Sequence, residues 1–327
     1  MHVRRVAVHS AALFLLLTSV AIAQNLAPVP SGTYGGGDIL PELTISTRVD
    51  EVNLAFTVTD KKGRFITNLQ QQDFDIRDNR LAPPAFHFFQ QQSNLPLNVA
   101  LLIDASDSVR YRFRFEQKSA SMFLKNIIRA GQDKAMIVAF NSRAHLVHDL
   151  TDNAGLLAKE IKRIKPGGDT ALYDAIRLAC SRLRNSPPGT RRAIIVLSDG
   201  VDTASRVLLY DAQDASLRAE VTAFALSTND LTIDPYPKGE AVLDLLTQPT
   251  GGRILAAHDE SQVAKAFREV EKTLRNQYAL AYQPPEFQPN GKFRAVEILP
   301  HKQGLKVQCR RGYYARQEDA RNISPGK

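Results

Sequence analysis

The sequence predicts a doubly wound α/β fold whose mostly parallel sheet is inserted into a β-rich, sandwich-like domain built from both flanks. Three observations lead there. Between residues 96 and 277, short apolar runs alternate with amphipathic helical segments, the pattern of a parallel sheet covered by helices. The run "LNVALLID" (Leu97–Asp104) is apolar at consecutive positions, broken only by Asn98, as in a strand buried on both faces. On either side, residues 42–95 and 278–316 alternate apolar and polar residues between turns, and each half is too short to close a core alone.

Residues 1–23 have the layout of a secretory signal peptide. Arg4 and Arg5 make a positive start, an apolar stretch of about a dozen residues follows, and Ala21-Ile22-Ala23 offers a small-x-small cleavage site before Gln24. The apolar stretch is short for a membrane span, and an uncleaved anchor is the alternative reading. Cleavage after Ala23 implies a secreted or periplasmic protein with no later membrane span. Residues 24–41, rich in Pro and Gly, read as a linker. In "VNLAFTVTD", Val52, Leu54, Phe56 and Val58 share one face of a strand. "DKKG" is a turn, "RFIT" resumes extended chain, and "FDIRDNRLAPPAFHFF" gives two strands about a turn and a Pro pair.

Within 96–277, "LNVALLID" leads into a helix over 109–129, then the buried strand "KAMIVAFN" and the edge strand "HLVHDL". Helices follow over 153–164 and 171–184, then the buried strand "RRAIIVLSDG". "EVTAFALS" and "GGRILAA" are further strands, with the short helix "GEAVLDLLTQ" between them. A last helix over 261–276 lines up Val263, Phe267, Val270 and Leu274, with Asp259 and Ser261 as candidate caps. "YALAYQPP", "FRAVEILP" and "LKVQCRRGYYA" complete the β-rich part, and the polar tail 317–327 is expected to be disordered.

Charge and composition narrow the function. The 327 residues carry a formal charge of +8, lowered by two if Arg4 and Arg5 leave with the leader. The basic residues are spread along the chain and no aromatic-and-basic module occurs, so nucleic acid is not expected as a partner. Cys180 and Cys309 are the two cysteines, which is not a disulfide scaffold. Two free thiols are expected, with a bridge left open because an oxidising compartment permits one. There is no G-x-S-x-G elbow, no H-E-x-x-H and no phosphate-binding G-x-x-x-x-G-K-[ST], so an enzyme is not expected.

The chemistry gathers where the apolar run ends. Asp104, Ser106 and Ser108 form D-x-S-x-S on the loop after Ile103. Alternate spacing in an extended loop lets three oxygen-bearing side chains converge, and hard oxygen donors suit Mg²⁺ or Mn²⁺ rather than zinc. "GGDTALYDA" adds Thr170 before a helix, and "VLSDG" adds Asp199 after a second buried strand. On its own, D-x-S-x-S reads as a capped loop, and it is Thr170 and Asp199 that turn the reading toward a metal. Open α/β sheets bind ligands beyond the carboxyl ends of their strands, where both polar clusters fall.

The set Asp104, Ser106, Ser108, Thr170 and Asp199 resembles the metal-ion-dependent adhesion site of von Willebrand factor A domains. The flanks "TVTDKKGRFITNLQQQDFDIRDN" and "FRAVEIL…LKVQCRRGYYA" are similar to those of exported bacterial proteins of that family. The resemblance implies a Rossmann-like fold binding one Mg²⁺ or Mn²⁺, with Ser106, Ser108 and Thr170 as direct ligands and Asp104 and Asp199 bound directly or through water. It implies a protein partner whose acidic side chain completes the metal's shell, in adhesion, assembly or scaffolding. A docking domain with a stabilising metal, and a metal-assisted hydrolase, are the other readings. Among neighbouring residues, Asp107 is expected to face solvent, Asp169 to cap the following helix, Asp202 to serve a turn, and Arg110, Arg112 and Arg114 to form a solvated helix start.

Overall fold

The computed structural model describes residues 51–91, 95–229 and 237–315. The leader, linker and tail expected at 1–23, 24–41 and 317–327 lie outside the described residues. Three strands come first: β1 (Val52–Thr59), β2 (Phe74–Asp78) and β3 (Ala85–Gln91). "RFIT" forms no strand; Phe65 makes only a single bridge to Thr59.

The α/β part follows with β4 (Leu97–Asp104), α1 (Phe113–Ile127), β5 (Lys134–Phe140), β6 (Ala144–Thr151), α2 (Ala154–Arg163), α3 (Leu172–Leu183), β7 (Arg191–Ser198), α4 (Leu209–Arg218), β8 (Thr222–Ser227), α5 (Lys238–Thr247), β9 (Ile254–Ala256) and α6 (Glu260–Arg275). Its sheet has the order β6-β5-β4-β7-β8-β9, all parallel except the edge strand β6. Alternate residues of β4 serve opposite faces. Val99, Leu101 and Ile103 pack against α1, α2 and α6, while Ala100 and Leu102 pack against α3, α4 and α5. The chain runs outward from β4 through β5 to β6, then returns to β7 on the other side of β4 and runs outward again. This reversal at β4 and β7 opens a crevice beyond their carboxyl ends.

After α6 come β10 (Tyr278–Gln283), β11 (Phe293–Pro300), β12 (Lys306–Cys309) and β13 (Gly312–Tyr314). They pair with the strands that precede β4. One sheet has the order β12-β1-β10-β3 and the other β13-β11-β2, with a shared core that includes Phe56, Phe74, Tyr278 and Ile298. "LKVQCRRGYYA", expected as one strand-like run, divides between the two sheets. A buried Asp78 accepts hydrogen bonds from Tyr282 (2.9 Å), Tyr313 (2.7 Å) and Arg294 (2.7 Å). Both cysteines are free thiols.

Two departures from expectation concern helices. The helix expected over 109–129 begins only at Phe113, because residues Asp107–Val109 form a short 3-10 turn. Helix α4 was not expected from the sequence. Asp259 does cap α6, accepting the Gln262 N–H at 3.0 Å, and Ser261 donates to that same carboxylate.

Candidate metal centre

Register sets the first contact. β4 and β7 are parallel neighbours with Ile103 opposite Leu197, so Asp104 emerges beside Ser198. The Asp104 side chain is fully buried. One carboxylate oxygen accepts the Ser106 N–H at 2.9 Å, and the other accepts the Ser198 hydroxyl at 2.8 Å. The Ser198 oxygen in turn accepts the Gly200 N–H at 3.1 Å, which shapes the loop carrying Asp199. The Ser106 and Ser108 hydroxyl oxygens lie 2.9 Å apart. Ser106 is buried and Ser108 exposed, so the pair opens toward solvent.

Thr170 comes from a second loop laced to the first. The Gly167 N–H donates to Ala105 O at 2.8 Å, and the Asp107 N–H donates to Gly168 O at 2.9 Å. The Gly168 N–H returns to the Asp107 carboxylate at 3.1 Å. Gly168 has φ +91°, and a Cβ there would lie 2.6 Å from the Ser142 hydroxyl oxygen, so a side chain fits neither the backbone nor the space. Thr170 also ties to the third loop: its N–H donates to Thr203 Oγ1 at 2.9 Å, and its carbonyl accepts the N–H groups of Thr203 and Ala204. Asp199 is half-buried; its carboxylate accepts the Val201 N–H at 3.0 Å and its carbonyl accepts from the Asn229 amide at 2.9 Å. Asp104 at the end of β4 and the other four singled-out residues on three cross-linked loops thus sit at one end of the sheet.

Residues 99–201 match the family model described as the von Willebrand factor type A domain. That stretch of the chain is similar to a von Willebrand factor type A domain. The matched stretch contains all five positions. A Synechocystis protein, the uncharacterized sll0103, is 24% identical over 188 residues, which is 56% of this chain and 42% of that relative's length. Among solved structures, a von Willebrand factor type A protein from Catenulispora acidiphila is 15% identical with a TM-score of 0.47, covering 77% of this chain and 76% of its own. The corresponding domain of the type V pili tip protein Mfa5 from Porphyromonas gingivalis is 13% identical with a TM-score of 0.45, covering 55% and 95%. BatB from Bacteroides thetaiotaomicron is 17% identical with a TM-score of 0.44, covering 54% and 98%.

The donor set on these loops fits a hard divalent cation. It offers hydroxyl and carboxylate oxygens and no sulfur or ring nitrogen. Burial pushes the Asp104 carboxyl above its ordinary range; bonds from Ser106 and Ser198 oppose that, and the nearby Asp199 charge adds to it. A neighbouring cation would favour the charged form of Asp104. Among the described residues no three His, Cys, Asp or Glu side chains gather as a metal cluster. A cation held here would draw on the Ser and Thr hydroxyls beside the two carboxylates.

Several residues around the site do other work than expected. Asp169 does not cap α3, because Thr170 and Ala171 still separate it from the first helical turn. Its N–H donates to Ser142 Oγ at 3.0 Å instead. The cap is Asp202, which accepts the Leu172 N–H at 2.8 Å from a loop thirty residues later in the chain and also holds the Ser205 hydroxyl at 2.6 Å. Asp107 is exposed, as expected, and is paired with Arg110. Arg114 is exposed, but Arg112 turns inward: it lies 2.7 Å from the buried Glu116 and donates to Thr228 Oγ1 at 2.6 Å. Burial pushes the Glu116 carboxyl up to about 7; Arg112 lowers it, and the charges of Asp104 and Asp199 raise it. Sequence reasoning missed Ser198, though it stands beside Asp199 in "VLSDG", and missed Glu116, whose only signal is a position on the inward face of α1.

Proposed function

We propose that this A domain is a divalent-cation-dependent protein-binding module of an exported protein. The observation that carries the reading is the pair of Ser106 and Ser108 hydroxyls, 2.9 Å apart at the mouth of the crevice, above an Asp104 locked by two hydrogen bonds. In this reading Ser106, Ser108 and Thr170 hold Mg²⁺ or Mn²⁺ directly, and Asp104 and Asp199 hold it directly or through water. An ion held largely by neutral hydroxyls keeps much of its charge and an exchangeable position for a partner's carboxylate. The chain's own residues supply a rigid, half-open cradle. Both Asp104 oxygens are occupied by donors, which favours a binding role over proton transfer or nucleophilic attack. Export rests on the leader layout of residues 1–23. Among the described residues no helix is long and apolar enough to cross a membrane.

The test is water-proton relaxation of Mn²⁺ solutions. The wild-type chain should enhance relaxation, a glutamate-containing peptide should reduce that enhancement by displacing water, and Asp104→Ala should lack it. No enhancement with the wild type contradicts cation binding. Enhancement that the peptide leaves unchanged contradicts the carboxylate-completed shell.

A further inference from the structure

A second feature lies on the face of the sheet covered by α3, α4 and α5. An open groove of about 940 Å³ runs between α3 and α4 and reaches the turn before β6. That volume is at the upper end of the roughly 300–1,000 Å³ typical of ligand sites. It shares no residue with the Asp104–Asp199 centre. Five arginines line it: Arg143, Arg177, Arg184, Arg206 and Arg218. Arg218 is paired with Asp214 and stacks 4.3 Å from the centre of the Tyr314 ring. The guanidinium groups of the other four are exposed and have no carboxylate partner among the described residues.

The carboxylates in the groove are already committed in part. Asp211 accepts the Leu208 N–H at 2.9 Å, closing the start of α4. One oxygen of Asp174 accepts the Arg206 N–H at 3.1 Å, while the other is buried with no hydrogen-bond donor. Four arginines with no carboxylate partner among the described residues therefore line a solvent-open channel. Beside it, Leu208 and Tyr210 are 73% and 67% exposed. Planar forks match carboxylates two bonds at a time. The interspersed Asp174, Asp211 and Asp214 would repel a continuous phosphate backbone, whereas a peptide's spaced carboxylates fall between them. The exposed Leu208 and Tyr210 add apolar contact that an acidic peptide with apolar residues uses.

We propose that the α3–α4 groove is a second, metal-independent docking site for an acidic peptide segment of a partner protein. Arg143, Arg177, Arg184 and Arg206 pair with its carboxylates, and Leu208 and Tyr210 cover its apolar side chains. The site adds a sequence-reading contact beside the cation centre and stands whether or not that centre binds metal.

The experiment uses fluorescence anisotropy with a short labelled peptide repeating Glu-Leu-Glu-Ala, with EDTA present. The wild-type chain binds it, and binding weakens with added salt. Arg177→Glu/Arg206→Glu weakens binding by about tenfold or more. Lys118→Glu/Lys125→Glu, an equal charge change on α1 across the sheet, leaves it unchanged with the same melting temperature. Equal weakening by both double variants, or no weakening by either, overturns the proposal. So does binding of single-stranded oligothymidine at equal affinity, which makes the groove a general polyanion surface. Peptide binding that appears only when Mg²⁺ replaces EDTA assigns the peptide to the Asp104 centre and also overturns it.

Discussion

At the residue scale, Asp104 is a carboxylate that cannot be buried alone. Asp104 is buried and is held by one backbone and one hydroxyl donor. A buried acceptor that loses its partner costs about 1–3 kcal/mol. Ser198→Ala should therefore destabilise the chain by that amount in metal-free buffer, read from the urea midpoint. An unchanged midpoint would mean that the Ser198 bond contributes nothing net. Asp104, Ser106 and Ser108 stand out in the sequence because alternate spacing after a buried strand is a local pattern, whereas Thr170 and Asp199 join them through the family resemblance. Ser198 does not stand out, because its role depends on which strand lies next to β4. Arg112 and Glu116 escaped for the same reason: their partners are Thr228 and each other, and only the folded crevice brings Thr228 near.

At the element scale, three loops act as one unit because their hydrogen bonds cross between them. Asp202 is the clearest link, since it caps α3 from the loop after β7. Losing such a cap costs about 0.5–2 kcal/mol. Asp202→Ala should lower the melting temperature correspondingly and speed hydrogen exchange at the Leu172 N–H. Exchange at that amide left unchanged would show that α3 is capped otherwise. The long helices with large apolar residues were legible within a few residues. Helix α4 was not: its fully buried positions are Ala212 and Ser216, too small to write an apolar stripe into the sequence. The start of α1 was misread because residues 107–112 are used for a 3-10 turn and for loop contacts before the helix begins.

At the scale of the whole molecule, the ends of the α/β part are tied at one carboxylate. Asp133, just before β5, accepts the Leu97 N–H at 3.0 Å where β4 begins and the Arg275 guanidinium at 2.7 Å where α6 ends. Arg129 adds further bonds at 2.8 and 3.0 Å. Burial alone would raise this carboxyl, but the bonds from Arg129 and Arg275 outweigh it and hold it at about 2. A carboxyl depressed on folding contributes stability above its unfolded value of 3.8 and loses it as pH falls through the folded value. The shift corresponds to about 2 kcal/mol. The stability gap between wild type and Asp133→Asn should therefore narrow by about that much as pH falls from about 4 to about 2. A gap that stays constant over that window would place no linkage at Asp133. The pairing of both flanks was legible because neither half suffices for a core; the Asp133 tie was not, since it joins three distant points of the chain.

Asp104, Ser106, Ser108, Thr170 and Asp199 form the proposed divalent-cation site. Isothermal titration of Mg²⁺ into the chain from Gln24 onward tests it most directly, beside Ser106→Ala/Ser108→Ala. A saturable heat at one ion per chain in the wild type, absent from the double variant while its melting temperature without metal is retained, is the predicted result. Equal heats in both, or none in the wild type at millimolar Mg²⁺ and Mn²⁺, would contradict it and leave the three loops as a hydrogen-bonded end of the sheet.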